Sequence, residues 1–200
     1  MQTMLATETR FDQKIVDLGT ETDEFTQFPV GHSMAVAELA DKLALRFNLA
    51  QEDQLVLQQA ALLRDVGELR MNRDYIGAPR ILTAEERLDL HRHPVIGEQE
   101  ASKLKLGRDV QLIIRWHHEW WSGAGYPDGL AGEAIPLKAR ILRVADAYCA
   151  LRCSRPFRAA YPVENARKYL IEWAGIEFDP IVVQALLSIE TAADQAGVQS

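Results

Sequence analysis

The sequence predicts an all-α fold, a multi-helix bundle, from three observations. Apolar residues recur at helical spacing along most of the chain, and nothing alternates at period two over a convincing length. Glycine and proline gather between the periodic stretches, above all in residues 119 to 136. With 200 residues, of which 48% are apolar, the chain has enough material for one packed core. The expected organisation is an N-terminal segment over residues 1 to 27 packed on the domain, a helical domain from 28 to 190, and a frayed polar tail from 191 to 200.

The elements follow in order. From Ser33, the residues Val36, Leu39, Ala40, Leu43, Ala44 and Phe47 lie on one face of a helix. A second helix is predicted from about Glu52, through Leu55, Ala60, Leu62 and Leu63, to about Val66, with Gly67 near its end. Thr83 followed by Glu86 reads as a capping box that opens a helix running towards His91. A short helix after Pro94 and another from about Asp109 to His118 come next. Residues 119 to 136 form a long loop, and loops of that length usually have a role. Leu137 to Leu151 and Val163 to Trp173 are helical again. Asp179-Pro180 has the cap and first-turn chemistry of a last helix, through about Ile189.

Charge and composition exclude several classes. A net charge of −7 argues against bulk attraction to DNA, RNA or an anionic membrane. No apolar run is long enough to cross a bilayer, and the charged N-terminus lacks the apolar core of a signal peptide. Two cysteines and no secretory segment suggest a reducing, cytoplasmic setting. Cys149 and Cys153 are four apart on a predicted helix and read as small apolar residues rather than a thiol site.

The chemistry concentrates in a few places. All five histidines lie between residues 32 and 118. His32 opens the first regular helix, His93 stands at a helix boundary, and His117-His118 close a helix just before the glycine-rich loop. Asp65 ends the second helix. Asp146 sits in the apolar stretch "RILRVADAY", where a carboxylate is costly to bury unless paired or bound to a cation. Helix ends that converge with His and Asp build metal sites inside bundles, and imidazole with carboxylate suits Fe, Mn, Zn or Ni. Taken singly, each histidine also reads as a satisfied structural residue, so spacing leaves both readings open.

The stretches "HSMAVAELADKLA", "LQQAALLRDVGEL", "ILTAEERLDLHRHPVIGEQE", "WHHEWWSGAGYPDGLAGEAIPLKARILRVADAY", "RPFRAA" and "GIEFDPIVV" together resemble the HD-GYP family. This is a branch of the HD superfamily of metal-dependent phosphohydrolases, and Gly125-Tyr126-Pro127 is its naming tripeptide. The resemblance covers roughly residues 28 to 187. It implies an all-helical fold with a two- or three-metal centre that hydrolyses cyclic di-GMP. The implied metal ligands are Asp65, His93, His117 and His118, with His32 and Asp146 on a second metal. Arg155 and Arg158 stand where the family contacts phosphates, together with Tyr126 of the loop. The same loop is used by the family to touch partner proteins, which draws in Trp120, Trp121, Gly125, Tyr126 and Pro127.

The departures from the family pattern matter most. Arg64 replaces the His of the His-Asp pair, and a guanidinium cannot ligate a cation. Glu68 replaces the Lys that steadies phosphate. Phe28, Cys149 and Ser122 stand where the family has Glu, Asp and Asp. The expectations are that Arg64 and Glu68 pair across one helical turn, or that Arg64 puts a fixed charge between Asp65 and Asp146 in place of a metal. One divalent metal (Fe, Mn or Zn) at Asp65, His93, His117 and His118, or none, is then expected. Impaired hydrolysis follows, with the chain acting by binding cyclic di-GMP, another phosphorylated small molecule or a signalling protein. A one-metal phosphohydrolase is the alternative.

Overall fold

The computed structural model describes residues 12–155 and 158–197, with side chains as far as Ile189. Among these residues ten α-helices follow one another: α1 Gln13–Phe25, α2 His32–Arg46, α3 Gln51–Leu63, α4 Val66–Met71, α5 Ala84–Leu90, α6 His93–Lys103, α7 Arg108–Trp116, α8 Leu137–Arg152, α9 Val163–Glu172 and α10 Pro180–Gly197. Among the described residues there is no strand, only the isolated bridges Arg155–Arg158 and Ala174–Phe178. The all-α expectation holds.

The core is aliphatic. Val36, Leu43, Leu57, Leu63, Ile114, Ile141, Leu142, Leu170, Phe178 and Leu186 are all fully buried. Each such side chain contributes about 1.5–3 kcal/mol by leaving water. Helix α2 packs on α3 and α8, α3 packs on α7, and α6 packs on both α4 and α7. Helix α1 lies against α2, α3 and α4, so residues 13–25 are part of the packed body. The capping box predicted at Thr83 is present: Glu86 N donates to Thr83 Oγ1 at 3.2 Å, and Thr83 N donates to Glu86 Oε2 at 2.8 Å. At the start of α10, Ile181 N donates to Asp179 Oδ1 at 2.8 Å, as Asp179-Pro180 implied.

Three local expectations are corrected. The second predicted helix is not continuous: α3 ends at Leu63, Arg64 and Asp65 form a turn, and α4 starts at Val66. Gly67 therefore lies at the start of α4 and does not close α3. Its lack of a side chain is what lets α4 abut α6, because a Cβ there would stand 2.0 Å from the His93 carbonyl oxygen. The last helix runs on from Ile189 to Gly197, in keeping with the alanine-rich "TAADQAG".

Gly67→Ala should accordingly cost about 3 kcal/mol or more, at the upper end of overpacking, because the clash is with backbone that cannot swing away. A urea midpoint read by circular dichroism checks this. An unchanged midpoint would mean that α4 and α6 can separate freely.

Candidate metal centre

The break between α3 and α4 is where the chemistry collects. Asp65 stands at the N-cap position of α4, with its carboxylate turned to the starts and ends of other helices. His93 begins α6, and His117 follows the last turn of α7. Asp65 Oδ1 lies 3.7 Å from His93 Nε2 and 3.6 Å from His117 Nε2. The two Nε2 atoms are 3.4 Å apart. One ligand atom each from Asp65, His93, His117 and His118 can be chosen so that all lie within 4.8 Å of one another.

Backbone carbonyls orient the two imidazoles. His93 Nδ1 donates to Leu90 O at 2.8 Å, and His117 Nδ1 donates to Ile114 O at 2.6 Å. A carbonyl can only accept, so in the neutral ring the proton is on Nδ1 and Nε2 presents a lone pair. Two lone pairs and a carboxylate oxygen thus meet with no proton among them, an arrangement that calls for a cation. Burial, and then the neighbouring His117, bring the His93 pKa down to about 4. Burial alone would raise the Asp65 carboxyl; the Arg64 guanidinium, with help from His117 and His93, instead holds it well below the carboxylate range. The residues fit one divalent ion.

The neighbouring position does not fit one. Arg64 is 1% exposed. Its Nε donates to Asp146 Oδ1 at 2.6 Å, and a terminal nitrogen lies 3.1 Å from Asp65 Oδ2. The other terminal nitrogen donates to Ser33 Oγ at 3.2 Å and to Ala61 O at 3.0 Å. Ser33 Oγ in turn donates to the buried Asp23 of α1 at 2.6 Å. The fixed charge between Asp65 and Asp146 is therefore present, while the Arg64–Glu68 pair is not. The helix break separates those two residues, so they no longer stack as neighbours on one helix. His32, 2% exposed, lies apart from the cluster with Nδ1 3.4 Å from Cys153 Sγ and its ring stacked on Phe28 at 3.9 Å. Its Nε2 is buried with no hydrogen-bond partner. Burial, and then Arg64, bring its pKa to about 4.

Glu68 is half-buried beside the cluster, 3.9 Å from His93 Nδ1. Burial and then the Asp65 carboxylate push its carboxyl well above the usual range. For such a group, stability is full below the unfolded pKa and falls as pH rises towards the folded one. Glu68→Gln should match the parent near pH 4 and melt roughly 2–4 °C higher at pH 8, the effect of about 1 kcal/mol in a chain of this size. Thermal melts across that range test it; a variant that melts lower at pH 8 would mean that the carboxylate has a stabilising partner.

The remaining sequence candidates separate. Arg155 donates to Thr26 O at 2.8 Å, holds its guanidinium 4.0 Å over Phe28, and lines a cavity of about 110 Å³ with Glu68, Phe28 and Arg80. Arg158 is turned to the end of α8, where it donates to the carbonyls of Ala150 and Leu151. In the glycine-rich loop, Tyr126 stacks on His118 at 4.8 Å and on His91 at 3.9 Å. Gly125 is needed there because a Cβ would lie 2.3 Å from Trp120 N. Trp120 and Trp121, drawn in as interaction-loop residues, are both half-buried. Trp120 meets Trp173 edge-on at 5.9 Å, and Trp121 lies under the Arg140 guanidinium at 5.6 Å. The loop is cross-tied by Glu119, at its start, whose carboxylate accepts from the backbone N–H groups of Asp128, Gly129 and Leu130.

Sequence reasoning missed Asp23, Ser33, Arg143 and Glu177. Arg143 donates to His118 Nδ1 at 3.1 Å, pairs with Glu177, and lies 3.8 Å from Asp146. Its place one turn before Asp146 on an apolar helix was a usable signal. The others come from distant parts of the chain and offered none.

The profile of the HD domain family matches residues 21–182. The chain belongs to the HD domain family. Its Gly125-Tyr126-Pro127 loop places it on the HD-GYP branch. It is 39% identical over 155 residues to the cyclic di-GMP phosphodiesterase response regulator RpfG of Xanthomonas campestris, covering 76% of this chain and 41% of that protein. It is 37% identical over 145 residues to a cyclic di-GMP phosphodiesterase of Vibrio cholerae, covering 68% of this chain and 29% of that one. A solved cyclic GMP-AMP specific phosphodiesterase of V. cholerae shares the fold with a TM-score of 0.73 at 19% identity, over 88% of this chain and 48% of that one. This HD domain thus spans less than half the length of these proteins. The family is metal-dependent, in keeping with the Asp/His cluster. Among the described residues, no helix is long and apolar enough to cross a membrane.

Proposed function

We propose that this HD domain binds a cyclic dinucleotide at a centre holding one divalent cation (iron, manganese or zinc) and is impaired in hydrolysing it. The observation that carries the reading is the buried Arg64 guanidinium between Asp65 and Asp146. Two ions clamp a phosphodiester by stabilising both the attacking and the leaving oxygen, and a fixed guanidinium in one position removes half of that clamp.

The ion would be held by Asp65, His93 and His117, with His118 beside them, and would supply a Lewis acid for a phosphoryl oxygen. The chain's own groups prepare the place. Arg64 holds one oxygen of Asp65 so that the other faces the imidazoles, and the carbonyls of Leu90 and Ile114 fix the two rings. Arg155 offers a positive charge to a phosphate, whereas Glu68 in the same cavity weakens its hold. Tyr126 and Pro127 wall a groove of about 480 Å³ with Leu88, Val95 and Ile96, which supports contact with a signalling protein on that face.

The test is titration calorimetry of the manganese-loaded chain with cyclic di-GMP and 3′3′-cGAMP, alongside elemental analysis and a turnover assay. About one ion per chain, binding of at least one dinucleotide and little turnover are expected. His117→Ala should weaken the ion by ~100-fold or more, beyond the loss usual for a merely supporting residue. Two ions per chain with brisk turnover would overturn the proposal. A second reading, a one-ion hydrolase of another phosphoester, is favoured by the intact Asp65/His93/His117 cluster. It predicts turnover of such an ester that His117→Ala abolishes.

A further inference from the structure

We infer that His118 is a hydrogen-bond donor to the bound ligand and not a ligand of the ion, so that Asp65, His93 and His117 alone hold the cation. This rests on the one-cation reading above and assigns a role that the family pattern does not.

Hydrogen bonds set the tautomer of all three rings, and they do not set them alike. His93 and His117 give their Nδ1 protons to carbonyls, which frees Nε2. His118 Nδ1 instead faces the guanidinium of Arg143 at 3.1 Å. A guanidinium can only donate, so Nδ1 accepts, and the proton of the neutral ring sits on Nε2. Whichever nitrogen lies nearer the cluster, His118 has no lone pair to offer. One is engaged by a cationic N–H group, and the other nitrogen carries hydrogen.

Ligation by His118 would require the ring proton to move to Nδ1, where it would oppose the Arg143 N–H. Arg143 is not free to withdraw. It pairs with the buried Glu177, approaches Asp146, and rests its guanidinium 5.8 Å from the centre of the Phe178 ring. The imidazole is also held in its plane, stacked on Tyr126 on one side and meeting His93 edge-on at 4.9 Å. Two imidazoles and one carboxylate leave positions open on a divalent ion. A phosphate-type oxyanion taking one of them would be complemented by an N–H group rather than displaced by a fourth protein ligand.

The experiment is two-bond ¹H–¹⁵N correlation on the full chain labelled at histidine, metal-free and then with Zn²⁺. The expected metal-free pattern is Nε2–H at His118 and Nδ1–H at His93 and His117. Zinc should move the Nε2 signals of His93 and His117 and leave the His118 tautomer unchanged. In the zinc-loaded chain, His118→Ala should weaken inorganic phosphate by about tenfold, the worth of one hydrogen bond to a charged group, and His118→Gln should restore most of it. An Nδ1–H tautomer at His118 in the metal-free chain, or a zinc shift of His118 equal to those of His93 and His117, overturns the inference. If no histidine responds to zinc, it is the one-cation proposal that fails, and the metal-free tautomer still decides the role of His118.

Discussion

Replacing Arg64 by leucine is expected to cost about 3–5 kcal/mol, the loss typical when one member of a buried ion pair is removed. In a chain of this size that corresponds to a melting temperature lower by roughly 10 °C. The reason lies in what the guanidinium satisfies. It reaches two carboxylates, Asp146 at 2.6 Å and Asp65 at 3.1 Å, and also Ser33 and the Ala61 carbonyl, in a setting where it is 1% exposed. Without it, Asp146 keeps, among the described residues, the ion pair with Arg143 at 3.8 Å, and the Asp23–Ser33 pair loses the donor it faces. A leucine fills volume but neutralises nothing. The same logic predicts that Mn²⁺ stabilises Arg64→Leu more than the parent, since a cation can then enter between Asp65 and Asp146. Melts with and without manganese measure both effects. A loss below about 1 kcal/mol, in the range of exposed ion pairs, would show that Arg64 is not a structural replacement for a charge.

The double variant Arg64→His, Glu68→Lys is the second large effect expected. It should raise the ion count from about one to about two per chain and raise cyclic di-GMP turnover by ~100-fold or more, the scale on which a single charge-stabilising group acts. Both changes are needed on physical grounds. The histidine vacates the position and supplies a lone pair, while the lysine replaces the buried acid beside Asp65 with a cation. His32 would rejoin the centre in that variant, since its buried Nε2 has no other partner. Elemental analysis and a nucleotide assay give the answer. A second ion without turnover would assign the remaining loss to Phe28, Cys149 and Ser122.

Much of this was legible in the residues themselves. Apolar spacing announced the bundle, and the Thr83–Glu86 capping box was found where the pattern put it. The isolated Asp146 signalled a buried charge needing a partner, and Arg64 is that partner. The break at Arg64-Asp65 was hidden because "LQQAALLRDVGEL" keeps its apolar spacing straight through it; the turn is set by the close approach of α4 to α6 at Gly67. Loop position alone left open whether Trp120 and Trp121 stand free or pack, because the groups they meet, Trp173 and Arg140, come from elsewhere in the chain. Asp23 and Ser33 are ten residues apart and joined by a turn, a relation that periodicity does not encode.

Glu119 gives the glycine-rich loop a particular physical character. Its carboxylate takes three successive backbone N–H groups, Trp121 N donates to Glu177 O, and Ser122 N donates to Ile176 O. Asp128 is clamped from outside by Arg115 and the Trp116 indole. Amides tied down in this way should exchange with deuterium on the slow timescale of helices rather than the fast one of loops. The loop is then a standing wall and not a lid. A ligand meeting it pays little to order the protein, and selectivity has to come from shapes the wall already excludes rather than from a closing motion.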